Sequence, residues 1–433
     1  MTKNLSPSPF EENPNREKTT LFENLQEPER AVLVDIDTGE YDVELSLNEL
    51  EELALTAGAE VIAKVIQKRD KPTPATYIGT GRLEEIKQFC EENEIDLLIF
   101  DSELSPSQQR NIENITDVRV IDRTTLILDI FASRATSGEG KLQVELAQLK
   151  YLLPRLSGKG IQLSRLGGGI GTRGPGETKL ETDRRHIRRK INSLESDLKA
   201  LKVRRDFLRE RRAKDGVETV AIVGYTNAGK STLMNTLTNA GVLTENKLFA
   251  TLDPTSRALT LPNGRSVMLI DTVGLIRRLP HHLVEAFKST LEDAAQADVI
   301  LNVCDASNDE CAQHLKVTTD LLSDLGCEGK PIISVLNKCD LAGDIMGLPT
   351  IGKSVMISAL KEKGLDSLLD AISKSLPPTR KKAQLLIPYS HGSDAATLRQ
   401  DGIVIKEEYR DEGLFLEVVC DIRLLDSMKK YII

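Results

Sequence analysis

An α/β fold is predicted for this chain, and three observations carry the prediction. Between residues 31 and 135, short runs rich in Val, Ile and Leu alternate with helix-like segments. The alternation returns between residues 219 and 360, where apolar runs lead directly into short motifs bearing glycine, lysine or a carboxylate. Between the two, leucine and isoleucine recur at intervals of three and four, the spacing of one helical face. Alternating strands and helices favour a mostly parallel sheet with helices on its faces. The expected organisation is a disordered tail at 1–27, an α/β domain at 28–140, a two-helix hairpin at 141–214, a second α/β domain at 215–378 and a small α+β module at 379–433.

The first 27 residues are polar and dotted with proline, so order is expected to begin after them. Strands are expected at 32–36, 61–66, 97–100 and 118–121, each an apolar run of four to six residues. Two helix starts read as capping boxes, Ser46-Leu47-Asn48-Glu49 and Ser105-Pro106-Ser107-Gln108, the second with proline at the first helical position. Tyr77-Ile78-Gly79-Thr80-Gly81-Arg82 precedes another helix. Its two glycines suit either a tight turn or a second phosphate cradle.

After Gly140 the pattern becomes helical. Leu142, Leu146, Leu149 and Leu153 share one face, and Ile187, Ile191, Leu194, Leu198, Leu201 and Leu208 form a heptad seam broken at Arg205. Two such helices joined by a short segment fold back antiparallel. The tip would be the stretch 166–179, with six glycines between Gly167 and Gly176, too costly in backbone entropy for helix or strand. A flexible linker is one reading of it. The flanking cations Arg165, Arg173, Lys179, Arg184, Arg185, Arg188 and Arg189, which a spacer does not need, favour insertion into RNA. Residues 155–214 hold 18 Lys or Arg against 7 Asp or Glu, a net +11 in a chain of net −9, which leaves −20 elsewhere. A single basic element on an acidic protein is the footprint of a polyanionic partner.

The run Thr219-Val220-Ala221-Ile222-Val223 ends in Gly224-Tyr225-Thr226-Asn227-Ala228-Gly229-Lys230-Ser231-Thr232. That spacing fits a loop whose amides curl around phosphate oxygens, with Lys230 for the β and γ phosphates and the Ser231 hydroxyl for Mg²⁺. Asn337-Lys338-Cys339-Asp340 follows the strand-like 332–336. A carboxylate at Asp340 can accept from both N1–H and the 2-amino group of guanine, whereas adenine offers neither donor. Charged hydrogen bonds contribute about 1.5–3 kcal/mol each, and sites built on them reject analogues by roughly 10⁴-fold, so guanine is expected. Asp271-Thr272-Val273-Gly274 would hold Mg²⁺ through Asp271 and meet the γ phosphate at the Gly274 N–H. Phe249 and Thr251, in Phe249-Ala250-Thr251-Leu252-Asp253-Pro254-Thr255, would mark the segment that closes over Mg²⁺. Ser358-Ala359-Leu360 would complete the base pocket. Apolar strands precede four of these five motifs, as binding at the carboxyl edge of a parallel sheet requires. Lys230, Thr251 and Gly274 are the residues expected to serve catalysis.

Leu275 follows the D-x-x-G motif, where many GTPases place a water-orienting Gln. An apolar side chain cannot orient water, so intrinsic hydrolysis is expected to be slow and to need a contribution from elsewhere. Asn227 either presents its carboxamide to a K⁺ ion, as in potassium-activated GTPases, or simply tightens the loop. Turnover in K⁺ against Na⁺ separates the two. Six cysteines without a C-x-x-C pair read as buried free thiols in a reducing cytoplasm. No apolar run of 18 residues or secretory leader is seen, so neither a membrane span nor export is expected.

The glycine-rich 168–177, running into Leu180-Glu181-Thr182-Asp183-Arg184-Arg185 and followed by G-Y-T-N-A-G-K-S-T and F-A-T-L-D-P-T, resembles the HflX family of ribosome-associated GTPases. The resemblance covers nearly the whole chain and includes Tyr77-Ile78-Gly79. It implies GTP/GDP and Mg²⁺ as ligands, ATP as a further ligand of the amino-terminal domain, and the large ribosomal subunit as partner. It also implies loop-bearing helices that reach toward the peptidyl-transferase region, and splitting of stalled ribosomes under stress. The expected molecule is a cytoplasmic monomer. Two other readings are a GTPase switch for a protein or membrane partner, and ATP-dependent RNA remodelling by the amino-terminal domain. The first predicts bulky apolar residues opposite the cations, where the sequence has a coiled-coil seam, and the second lacks a second full phosphate loop.

Overall fold

A computed structural model of the chain describes residues 28–156, 175–238, 248–249, 255–278, 294–342, 353–377 and 380–433. The expected tail at 1–27 and most of the glycine-rich tip lie outside these residues. The chain forms two compact units, one ending at Asp122 and one beginning at Arg123.

The first unit contains β1 (Arg30–Asp37), α1 (Val43–Ala57), β2 (Glu60–Lys68), α2 (Thr80–Asn93), β3 (Leu97–Phe100), α3 (Pro106–Thr116) and β4 (Arg119–Asp122). Its four strands form a wholly parallel sheet in the order β2-β1-β3-β4. Strands covered on both faces read as continuous apolar runs, and β1 and β3 are buried along nearly their whole length. Val32, Val34, Leu98 and Phe100 pack there with Ile78, Leu83 and Ile86.

Ser105 and Gln108 make the expected reciprocal cap at the start of α3. The expected box at Ser46 is not formed. Helix α1 begins one turn earlier, where the Asp42 carboxylate accepts from the Leu45 N–H, and Ser46 instead donates its hydroxyl to Asp101. The extra turn buries Val43, a gain that a start at Ser46 would forgo. Gly79 caps α2, and its N–H donates to Gln67 Oε1 at 2.8 Å.

The second unit opens with three helices, α4 (Arg123–Arg134), α5 (Gly138–Arg155) and α6 (Pro175–Asp215). Glu139 of α5 pairs with Arg205 of α6 at 2.9 Å and Lys150 with Glu195 at 2.7 Å, so the helices run antiparallel. Leu142, Leu146, Leu149 and Leu153 meet Ile187, Ile191, Leu194 and Leu198, as the spacing predicts. The seam does not extend to Leu208, which is exposed. Its partner helix begins at Gly138, and the opposing position near that end is Arg205, paired with Glu139 rather than misplaced in a core.

Next come β5 (Glu218–Gly224), α7 (Lys230–Thr238), β6 (Thr255–Thr260), β7 (Ser266–Asp271), β8 (Val299–Asp305), α8 (Cys311–Asp324), β9 (Ile332–Asn337), β10 (Lys353–Met356) and α9 (Leu365–Ser375). The sheet order is β10-β9-β8-β5-β7-β6, parallel except for β6, which runs antiparallel to β7 at the edge. β5 lies between β7 and β8, where the winding changes direction. That switch point opens a crevice at the carboxyl ends of the strands. The last strands, β11 (Arg380–Ile387), β12 (Ile403–Arg410) and β13 (Gly413–Asp421), form an antiparallel sheet in the order β11-β13-β12, covered by α10 (Gly392–Asp401) and α11 (Ile422–Ser427). All six cysteines are free and only Cys339 is not buried.

Candidate nucleotide site

The loop leaving β5 turns back before α7 starts at Lys230. Gly229 adopts φ +87°, and a Cβ there would collide with the side-chain amide of Asn337. Asn227 also lies in the left-handed region at φ 61°, which Asn tolerates better than most residues. Its backbone therefore meets what the loop-tightening reading requires.

Asn337 ties three motifs together. Its Nδ2 donates to the Ala228 carbonyl at 2.9 Å and its Oδ1 accepts from the Ala359 N–H at 2.9 Å, with the side chain buried. The phosphate loop, the end of β9 and the Ser358-Ala359-Leu360 turn are thus held by one carboxamide. Replacement by Ala would strand a buried donor and acceptor. Beside it, Lys338 adopts φ 60° and pairs with Asp305 at the end of β8 at 2.6 Å. Asp340 is solvent-facing, and a hydrogen bond from the Ser358 side chain, helped by Lys361 and Lys363, holds its carboxyl below the usual range. Ser358 and Ala359 are buried while Leu360 is exposed.

Lys230 is buried, with its Nζ donating to the Tyr225 carbonyl at 2.7 Å. Burial pushes it down to about 8, against the pull of the Asp271 charge. The Ser231 hydroxyl donates to Asp271 Oδ2 at 2.8 Å. A serine hydroxyl and a carboxylate are the hard oxygen ligands Mg²⁺ prefers, so the residues present fit that ion. Gly274 packs so closely that an added Cβ would sit 2.6 Å from Thr226 Cγ2 and 3.1 Å from Lys230 Nζ. Leu275 joins the loop through its backbone: its carbonyl accepts from Thr226 N–H at 2.8 Å and its N–H donates to the Gly224 carbonyl at 3.1 Å. Thr232 is half-buried in α7. Phe249 is buried, and Thr251 lies outside the described residues.

Several partners of the loop carry no sequence signal. Tyr225 stacks on His314 of α8, ring centroids 3.8 Å apart and planes 9° from parallel. Burial first, then the nearby Arg277 charge, push His314 down to about 4. The Tyr225 hydroxyl accepts from Arg277 N–H at 2.6 Å, and the Arg277 guanidinium pairs with Glu310. Glu310 and His314 stand one helical turn apart, but no spacing rule links them to positions 225 and 277; only the fold brings the four together.

On α6, Arg185, Arg188 and Arg189 are exposed and Arg184 is half-buried. Arg185 pairs with Glu181 at 3.2 Å. Lys179 falls in the first turns of α6 with its side chain outside the description, as are Arg165 and Arg173 altogether. Among the described residues no helix is long and apolar enough to cross a membrane, and no three His, Cys, Asp or Glu side chains converge as a metal cluster.

The family profiles that match are described as GTP-binding GTPase N-terminal, over residues 44–132, GTP-binding GTPase Middle Region, over 134–212, and 50S ribosome-binding GTPase, over 219–338. A protein named GTPase HflX from Caldanaerobacter subterraneus subsp. tengcongensis is 51% identical over 415 residues, 95% of this chain and 96% of the relative. Another of that name from Escherichia coli is 40% identical over 401 residues, 91% and 93% of the two chains. A crystal structure of a GTP-binding protein from the archaeon Sulfolobus solfataricus in complex with GDP is 30% identical, with a TM-score of 0.43, covering 80% of this chain and 98% of that one.

Proposed function

Because the chain belongs to the HflX family of GTPases, we propose that it binds the large ribosomal subunit and couples its nucleotide state to splitting or rescue of stalled ribosomes under stress. The observation that supports this most is the joining, within one unit, of a P-loop domain to a helix whose exposed face carries Arg185, Arg188 and Arg189. Cations on the outer side of a hairpin whose inner side is apolar suit a phosphate backbone, and the description of the matching P-loop profile names the 50S ribosome.

In this reading the loop amides of Gly224 to Thr232 and the Lys230 ammonium receive the phosphates. The contact of Lys230 with the Tyr225 carbonyl would be exchanged for phosphate oxygens, whose charge favours the protonated lysine. Asp340 selects guanine, assisted by the Ser358-Ala359-Leu360 turn, while Asn337 and Lys338 hold that wall in place. Ser231, Asp271 and Thr251 would hold Mg²⁺, which neutralises developing phosphate charge when bound. In the same reading the Gly274 N–H meets the γ phosphate, and the close packing there, which leaves room for no side chain, supports it. Slow intrinsic turnover follows from Leu275, whose side chain is buried and offers no polar atom to a water. Acceleration by the ribosome belongs to the same proposal.

The boundaries 28–140, 141–214, 215–378 and 379–433 are kept as the working functional division. ATP at the amino-terminal unit is a separate proposal, which titration of residues 28–122 with ATP would refute by showing no binding. The central test is to replace Arg184, Arg185, Arg188 and Arg189 together with Glu. Ribosome association should be abolished and GTP affinity spared; unchanged co-sedimentation with the large subunit would remove the hairpin from the mechanism.

A further inference from the structure

We propose that α4 reads both nucleotide switches and passes their state to the hairpin, with Phe131 and Arg123 as the positioning residues. The proposal rests on the GTP-site assignment above but not on ribosome binding.

Two contacts carry it, one near each end of the same helix. The Phe131 ring meets Phe249 edge to face, centroids 4.6 Å apart and planes at 76°. Arg123 Nη2 donates to the backbone carbonyl of Arg277 at 3.1 Å. Phe249 stands two residues before Thr251, and Arg277 three residues after Gly274. One helix therefore touches the chain beside each of the two segments whose positions depend on the γ phosphate. Its eight-residue reach between Arg123 and Phe131 spans about 12 Å at the helical rise.

These contacts lie in a tight environment. Arg123, Phe131 and Phe249 are each no more than 2% exposed, and Leu126, Ile127, Leu128 and Ile130 are buried along α4 as well. Asp129, Ala132 and Ser133 form the exposed stripe of α4; the packed remainder shifts as a body and does not bend locally, because close-packed interiors do not deform gradually. The Arg277 end is equally constrained. Its N–H is bound to Tyr225 and its guanidinium to Glu310, so movement of this segment must alter the carbonyl that Arg123 grips.

The output end is short. Three residues separate α4 from α5, the Ala135 N–H closes back on the Phe131 carbonyl at 2.9 Å, and Ser137 caps α5 by accepting from Gly140 N–H at 2.8 Å. α5 then packs its leucines against α6, which carries the arginines. A displacement of α4 thus has a continuous packed route to the basic helix. The bland alternative is that Phe131 and Arg123 only fill the core, and it predicts a different result in the following test.

Backbone hydrogen exchange of full-length protein is followed in GDP and in a non-hydrolysable GTP analogue, without ribosomes. In the wild type, residues 138–155 should exchange at nucleotide-dependent rates. In Phe131→Leu combined with Arg123→Lys, that difference should shrink by about fivefold or more while GDP still binds, in line with typical coupling strengths. By reciprocity the ratio of GTP-analogue to GDP affinity should also move. A core-filling role predicts a lower melting temperature with the difference and the ratio intact, and that result overturns the proposal. Wild-type exchange in α4 and α5 that is identical in the two nucleotides overturns it irrespective of any variant. Since ribosomes are absent, failure of ribosome binding would be seen separately.

Discussion

Asp340 and His314 show two ways in which single residues shape this site. Asp340 is exposed, and its carboxyl is held below the usual range first by a hydrogen bond from Ser358 and then by two lysines. Asp340→Asn should lower the preference for GTP over ATP by on the order of a hundredfold, because two charged acceptances are lost. Competition binding measures this, and an unaltered preference would refute the assigned pocket. His314 is the opposite case, a buried ring with its pKa pushed down to about 4 from 6.5, facing Arg277, Glu310 and Asp305. Between those two values the unfolded chain binds a proton that the folded chain refuses. Stability should therefore be full above about 6.5 and fall as pH drops toward about 4. His314→Phe keeps a ring against Tyr225 and should flatten the dependence of melting temperature on pH across this window; equal slopes would contradict the assignment. Asp340 was legible from its motif. His314 was not, since its meaning comes from a stacking partner 89 positions away.

At the scale of elements, most strands could be read because both faces are covered and the run is simply apolar. β6 could not: four of its six residues are exposed and its pattern carries no period. Nor does β8 announce itself, for although apolar it ends in no motif, and its Asp305 gains its place beside the site through the pair with Lys338. The hairpin was legible as a seam, but its end was not, because where a partner helix stops is a property of the other segment. Arg205 gives this point a test. Replacing both members of an ion pair by packed apolar groups is often neutral or stabilising. Arg205→Leu combined with Glu139→Leu should leave the melting temperature unchanged or raise it. A loss of about 2 kcal/mol or more in chemical denaturation would show that the pair itself holds the helices in register.

For the whole molecule, the uneven charge of the sequence and the placement of the P-loop point to one account. An acidic protein concentrates its positive charge on a helix that belongs to the same compact unit as the nucleotide site. In the proposed account guanine recognition, the switches, α4 and the basic helix are linked through packed contacts, so nucleotide state and partner binding influence each other to the same degree. The most direct test is sedimentation of the protein with purified large ribosomal subunits in a GTP analogue, in GDP and without nucleotide. The account predicts strong co-sedimentation in the analogue and markedly weaker co-sedimentation in the other two. Equal capture in all three conditions would contradict it.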